Sequence, residues 1–241
     1  MYSRELDGET YTFGVSGKLW RDALLMYDHQ TRSLWSHITG EAVQGTLKGK
    51  QLKVLAAMPQ IAWNTWRQNY PDTKVLSVQF DLRHPERRME ERRTDSYARY
   101  HASPEPGVSG MRYADNRLRN KDLVVGIQLE QHYRAYPFEV FEHRLVINDE
   151  IDGTPVLVFH EKSSNATSVF LRMLDGKPLN FEHHKGYFAK DTSGTTWNLI
   201  TGTATEGEFK DKKLERLPSI NVYWYAWARY HPETTIYGRL K

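Results

Sequence analysis

The sequence predicts a mainly β protein built from two pseudo-twofold related β-meander lobes, sandwich-like or barrel-like, each with one short helix anchored by aromatic residues. Three observations predict this class: an internal repeat, many short segments rich in β-branched and aromatic residues, and Gly-containing turn signals between those segments. A chain of 241 residues is long enough for one large domain or two modest ones, with a sizeable core in either case.

The repeat is legible residue by residue. Trp35–Ala42 and Trp197–Ala204 share Trp, Ile, Thr, Gly and Ala at matching positions, and Asp28 upstream matches Asp191. After the loss of one residue the match continues through four further pairs: Trp63 with Trp224, Trp66 with Trp227, Pro71 with Pro232, and Thr73 with Thr234. The period is far too long for a solenoid, so it predicts a gene duplication that produced two lobes.

The repeat divides the chain into a first lobe (residues 1–82), a charged connector with a Pro/Gly/Ser stretch (83–135) and a second lobe (136–241). The second copy has a lead-in, from about Leu145 to Leu174, that nothing before Met1 matches. A sheet that lacks strands leaves an exposed edge. We therefore expect that a protein partner, or a second copy of the chain, pairs with the first lobe.

Individual elements follow from local patterns. Each copy carries one helix-like segment, with Trp63, Trp66 and Tyr70 on one face before a proline in the first, and the same pattern in the second. Short stretches of β-branched and aromatic residues predict eight strands: Tyr11–Val15, Leu24–Tyr27, Lys53–Ala56, Lys74–Val78, Val124–Leu129, Pro155–His160, Ser168–Met173 and Thr195–Ile200. Asp28 and Asp191 are expected to accept backbone N–H bonds in turns.

Composition excludes several function classes. The net charge is +3, and Arg and Glu alternate at helical spacing in Arg83–Arg93, so nucleic-acid binding is not expected. The chain has no cysteine, which excludes disulfides, thiolate nucleophiles and Cys-ligated metals. No apolar run is long enough to span a bilayer, and Met1–Glu5 does not begin a signal peptide.

Four strings together resemble one known family. They are Phe13–Gly17, Met26–Trp35, Gly40–Gly45, and Trp224–Trp227 with His231–Thr234. These residues resemble the DUF3179 family, a bacterial and archaeal group of uncharacterised function, and the resemblance covers essentially the whole chain. It implies a secreted or lipid-anchored protein with an extracytoplasmic location, and it implies no reaction.

Features present in only one copy are where a function is most simply added. Ser16–Asp22 reads as an insertion in the first copy, which places Trp20 and Arg21 on a loop. The connector concentrates Tyr, Arg and His in Asp95–His101. We therefore predict a ligand site between the lobes, formed by Trp20, Arg21, Tyr97, Arg99, Tyr100 and His101. The leading hypothesis is a non-catalytic extracytoplasmic binding or accessory protein.

Two alternatives stay open. One is a metal-dependent enzyme that uses His160, His183 and His184, with a carboxylate such as Glu182. His183 and His184 point to opposite faces of a regular strand, so a single site needs a third ligand from elsewhere. No cofactor is evident in the sequence, and this alternative needs a transition metal. The other alternative is a structural subunit whose first lobe is completed by a partner strand.

Overall fold

The computed structural model describes residues 1–55, 60–75, 95, 97–107 and 115–239. Of the described residues, 43% lie in strands and 11% in helices, which confirms the mainly β class. No sheet among the described residues closes into a barrel, so the barrel-like alternative is wrong for this part of the chain. None of the described helices has the length and apolar character needed to cross a membrane.

The described residues form short strands, three short α-helices and one 3₁₀ helix. In chain order they are β1 Glu5–Leu6, β2 Glu9–Thr10, β3 Phe13–Trp20, β4 Ala23–Asp28, β5 Leu34–Ser36, β6 Ala42–Gln44, α1 Trp63–Asn69, α2 Ala98–Ala102, β7 Leu123–Leu129, β8 His132–Pro137, a 3₁₀ helix Phe138–Phe141, β9 Val146–Ile151, β10 Thr154–Glu161, β11 Ala166–Leu171, β12 Met173–Leu174, β13 Lys177–Pro178, β14 Phe181–Lys185, β15 Phe188–Asp191, β16 Thr196–Asn198, β17 Thr203–Glu206, β18 Ser219–Tyr223, α3 Trp224–Tyr230 and β19 Thr235–Ile236.

Two four-stranded antiparallel sheets follow the chain in sequence order. We call β3-β4-β5-β6 the first meander and β14-β15-β16-β17 the second meander. A two-stranded hairpin precedes each one, β1-β2 and β12-β13. Both meanders bury a tryptophan completely, Trp35 in the first and Trp197 in the second. Strand order and core therefore agree between the two segments that the repeat relates.

A further pair of sheets completes the fold. β18-β7-β8-β19 is a four-stranded sheet in which only β19 runs parallel to its neighbour, β8. Helix α3 packs on this sheet through Trp224 and Trp227, which share a core with Val124, Ala135 and Ile236. β11-β10-β9 forms an antiparallel sheet whose residues contribute to the two largest cores.

The Asp and Trp shared by the two meanders have a direct structural role. The Trp35 indole Nε1 donates to Asp28 Oδ2 over 2.9 Å, and Trp197 Nε1 donates to Asp191 Oδ2 over 2.9 Å. Both carboxylates also accept backbone N–H bonds from the following turn, as predicted: Asp28 from Thr31 and Asp191 from Ser193. A buried indole donor is thus satisfied by the same carboxylate that fixes the turn.

Two predicted strands differ from the structure, and two segments of the connector lie outside the described residues. The described parts of Lys53–Ala56 and Lys74–Val78 contain no strand beyond an isolated bridge at Val54, so those strand predictions are wrong there. Their remaining residues, 56 and 76–78, lie outside the described residues, as do Arg83–Arg93 and 108–110 of the Pro/Gly/Ser stretch. The other predicted strands and both helices are confirmed within a few residues.

Helices α1 and α3 each contact the meander that lies distant in sequence. Asn198 Nδ2 of the second meander donates to Asn69 Oδ1 at the end of α1 over 2.7 Å. Tyr230 at the end of α3 donates its hydroxyl to the Trp20 carbonyl of the first meander over 2.7 Å. These two polar contacts connect the N-terminal and C-terminal halves of the described chain.

Candidate functional site

The turn between β3 and β4 brings two of the predicted binding residues onto helix α3. The Ser16–Asp22 loop prediction is wrong, because β3 continues to Trp20 and only Arg21 and Asp22 form the turn, with φ of 51° and 60°. A two-residue turn with both φ values positive matches the twist of a hairpin. The strand reaches this turn through a register shift between Val15 and Leu19, which absorbs the extra residues.

Trp20 and Arg21 are occupied by contacts with α3. The Arg21 guanidinium lies 4.7 Å from the Trp20 ring centroid and 5.6 Å from that of Tyr230, and its Nη1 donates to the Arg229 carbonyl over 3.1 Å. The neighbouring Asp22 forms an ion pair with Arg229. These contacts use the polar groups of the turn to hold it against α3, so we assign the turn a positioning role.

The connector helix α2 brings three other predicted residues together at the opposite end of α3. Tyr97 lies within 6.4 Å of the Tyr100 ring and 6.3 Å of the His101 ring. The Tyr100 hydroxyl is 2.6 Å from that of Tyr225, and His101 Nδ1 is 2.7 Å from the Tyr223 hydroxyl. The predicted set is therefore split between the two ends of α3.

Arg99 on α2 is exposed, and so is Tyr97, which directly precedes the helix. Burial raises the pKa of Tyr225, and its hydrogen bond with Tyr100 raises that pKa further. The Tyr225 hydroxyl is therefore protonated at neutral pH. Lys121 adds a cation 3.8 Å from the Tyr100 ring centroid and donates to the Tyr100 carbonyl. Helix α2 thus contacts the start of α3 mainly through tyrosine side chains, and Lys121 lies at the edge of this contact.

Two adjoining cavities lie next to the lysine. One, of about 430 Å³, extends from Arg119 and Asp122 to the 3₁₀ helix and His160. The other, of about 990 Å³, extends from the same residues along the connector to His101. Both are lined by Arg119, Lys121, Asp122 and Glu139. We call the two together the connector cleft.

His160 forms part of an aromatic floor in the smaller cavity. Its ring centroid lies 4.0 Å from that of Phe138 and 5.4 Å from that of Phe141, and only 3% of the residue is exposed. Its Nδ1 is 2.9 Å from Thr167 Oγ1, which also accepts a hydrogen bond from Asn221. Burial lowers the pKa of His160, so the imidazole is neutral at pH 7.

Charges of both signs surround this floor. Lys162 and Glu142 are exposed at the smaller cavity, and Glu139 stands between the two cavities. Arg119 forms an exposed 2.9 Å ion pair with Asp122. An apolar floor with a rim of mixed charge is suited to hold a molecule that carries an apolar group and ionised groups of both signs.

The predicted metal ligands are not gathered into one site. His160 lies on β10 inside the cleft floor, whereas His183 and His184 are exposed on β14, where His183 Nε2 is 2.9 Å from the Gly186 carbonyl. Across the described ranges no group of three or more His, Asp or Glu side chains is arranged to hold a metal ion. The metal-dependent alternative therefore gains no support from this geometry.

The prediction from sequence missed most of the cleft. Its shared wall comes from Arg119–Asp122, which precedes β7 and carries no motif. A signal for the other wall was present, because Pro137 followed by Phe-Glu-Val-Phe is a proline-initiated helical turn with two aromatic residues on it. The placement of Arg119–Asp122 and of His160 around that turn required the tertiary structure.

Comparison with other proteins places the chain in one family. No curated protein and no solved structure matches it. The model of one family matches residues 1–234, which is nearly the entire chain. The chain therefore belongs to the DUF3179 family, described as a protein of unknown function.

Proposed function

We propose that this chain is a binding protein without catalytic activity of its own, and that its ligand occupies the connector cleft. The observation that carries the proposal is the aromatic floor of Phe138 and His160, which lies open to a cavity of about 430 Å³ and is bordered by charged side chains. Cavities of this size accept small ligands, and a few polar groups around an apolar surface provide orientation.

The chemistry of the cleft favours a small zwitterion with an apolar side chain. An apolar or aromatic group would pack on Phe138 and His160, because a neutral imidazole has no charge to desolvate. An ammonium group would pair with Glu139 or Glu142, and a carboxylate with Lys121 or Lys162 at the same cavity. A free amino acid or short peptide carries these groups together, so we assign the ligand to that class.

The proposal keeps the two-lobed organisation that the repeat predicts, with the site beside the connector that joins the lobes. Support comes from the matching strand order of the two meanders and from their matching Trp–Asp hydrogen bonds. It also keeps the extracytoplasmic location, where binding proteins for small solutes act, on the basis of the family resemblance. His101 is the one predicted binding residue that lines the cleft.

Calorimetric titration of the full chain with the twenty amino acids and a set of dipeptides tests this function. We expect saturable binding of ligands with apolar side chains, and a loss of at least about tenfold in affinity in Phe138→Ala, because the aromatic surface is removed. His184→Ala changes an exposed residue outside the cleft and serves as the matched control. The proposal fails if nothing in the set binds, or if both variants bind as well as the wild type.

A further inference from the structure

Helices α1 and α3 have the same internal structure and very different surroundings. In α1 the Trp66 Nε1 donates to Thr73 Oγ1 over 2.8 Å, and in α3 the Trp227 Nε1 donates to Thr234 Oγ1 over 2.9 Å. Every residue of α3 except Arg229 is buried, whereas no residue of α1 is buried. The same helical motif is therefore buried at one position and only partly covered at the other.

The cover on α3 is the strand pair β7–β8. Gly126 on β7 leaves room for the Trp227 ring, because a Cβ atom at that position would lie 2.4 Å from it. Tyr133 on β8 stacks on His231, with ring centroids 4.2 Å apart and an interplanar angle of 20°. This helical motif is thus covered by a strand pair that has a glycine opposite the second tryptophan and a tyrosine beside the end of the helix.

Three apolar residues of the first copy are exposed where their counterparts are buried. Trp63 is 48% exposed and its counterpart Trp224 is fully buried. Leu55 is 58% exposed against 8% for Leu217, and Val75 is 70% exposed against 7% for Ile236. We call the surface of Trp63 and Val75 the α1 face, because their counterparts Trp224 and Ile236 lie in one core, whereas Leu217 lies in another. An apolar surface that is exposed in one copy and covered in the other is a candidate interaction site.

We propose that the α1 face binds a β-hairpin of a partner protein, and that this hairpin has the chemistry of β7–β8. The residues of this hairpin that face α1 would be β-branched or small, with a glycine opposite Trp66. Trp66 makes the same hydrogen bond to a threonine that Trp227 makes beneath Gly126 of β7. Pairing of this kind adds strands to a fold and buries apolar side chains at alternate positions.

A second copy of the chain is a poorer occupant of this face. Its own β7 pairs with β18, and its own β8 pairs with β19. Val124, Val125 and Ile127 of β7 are fully buried in that sheet. Offering this hairpin to another copy would uncover the core beneath it, so a separate polypeptide fits the observations better.

A peptide with the sequence of residues 123–137 is the probe, titrated into the intact chain and followed by tryptophan fluorescence. We expect saturable binding to the wild type, and binding at least about tenfold weaker in Trp63→Asp and in Val75→Asp, as for residues at the centre of an interface. Val15→Asp is the matched control, because Val15 is 71% exposed on β3 and lies outside the α1 face. A peptide carrying Gly126→Leu should bind the wild-type chain as weakly as the unmodified peptide binds the Trp63 and Val75 variants, since the leucine side chain would clash with the Trp66 ring.

The variants also separate this interaction from exchange of the peptide into the β18-β7-β8-β19 sheet, which would not depend on Trp63. Absence of binding, or equal binding by the wild type and the Trp63 and Val75 variants, overturns the proposal. A wild-type dimer in light scattering that Trp63→Asp converts to a monomer also overturns it, because the occupant of the face would then be a second copy. Circular dichroism of each variant confirms that it is folded.

Discussion

Arg229 on α3 is ion-paired with Asp22, which lies in the turn between β3 and β4, 207 positions earlier in the chain. The side chain of Asp22 is only 1% exposed and that of Arg229 is 17% exposed. A carboxylate this buried is stable only with its partner in place. The pair therefore fixes the first meander against the helix that also supports the connector.

Asp22→Asn should destabilise the protein by about 2–3 kcal/mol, because Arg229 keeps its charge in a largely buried position and loses the carboxylate. Asparagine tolerates the positive φ of this turn, so the change isolates the charge. Urea unfolding measures the difference. Asp7→Asn is the control, since Asp7 and Lys50 form an exposed pair and the change should barely alter the free energy of unfolding. Equal effects of the two changes would contradict the role given to the Asp22 pair.

Gly45→Ala should destabilise the first meander by more than Gly49→Ala. Both glycines have positive φ, of 102° and 85°, so both changes incur backbone strain. A Cβ on Gly45 would in addition lie 2.7 Å from the Cα of Ser33, whereas a Cβ on Gly49 has open space. We expect a difference of at least about 1 kcal/mol in the free energy of unfolding. Equal losses of stability in the two variants would show that backbone strain accounts for the whole effect and that the contact with Ser33 adds nothing.

Replacing Trp35 by Phe should cost about 2–3 kcal/mol, and Trp197→Phe should cost a similar amount. Each change keeps an aromatic ring and removes the indole donor, which leaves a buried carboxylate with one partner fewer. Chemical unfolding of both variants tests the equivalence of the two meanders. A loss in only one of them would show that the shared hydrogen bond has different importance in the two sheets.

The stability of the protein should fall as the pH is lowered from 6.5 towards 4, partly because of His231. Burial lowers the pKa of His231 to about 4, and the positive charge of Arg21 lowers it as well. In this window the unfolded chain takes up the proton and the folded chain does not, so protonation favours unfolding. Above pH 6.5 this histidine is neutral in both states and does not destabilise the fold. His231→Phe should therefore reduce the loss of stability between pH 6.5 and 4 by up to about 2–3 kcal/mol. An unchanged slope in urea unfolding between pH 4.5 and 7 would contradict it.

Local patterns predicted the elements well where short-range chemistry decides them. Neighbouring residues account for the tryptophan spacing of α1 and α3, for the meander strands β3, β4 and β16, and for the turn carboxylates of Asp28 and Asp191. The other five meander strands, β5, β6, β14, β15 and β17, were not predicted. The Ser16–Asp22 loop failed because a register shift in β3 absorbs the extra residues, and a sequence pattern does not show such a shift. Whether one ancestral gene was duplicated stays a prediction.

The site was predicted only in part, for a physical reason. Aromatic and charged residues on loops are candidates both for binding and for packing, and composition does not separate the two. Trp20 and Arg21 turned out to pack on Tyr230, whereas His101 lines a cavity. The cleft floor joins Phe138 to His160, which are far enough apart in sequence that only the pairing of β7 with β8 and of β9 with β10 brings them together.

The most direct test of ligand binding in the connector cleft follows the histidine ring resonances by NMR during a titration with apolar amino acids and dipeptides. The cleft proposal predicts a saturable shift of the His160 ring signal, with the same dissociation constant as in calorimetry, while the exposed His184 signal stays in place. Saturable binding without any change at His160, or no binding by the whole set, would contradict it.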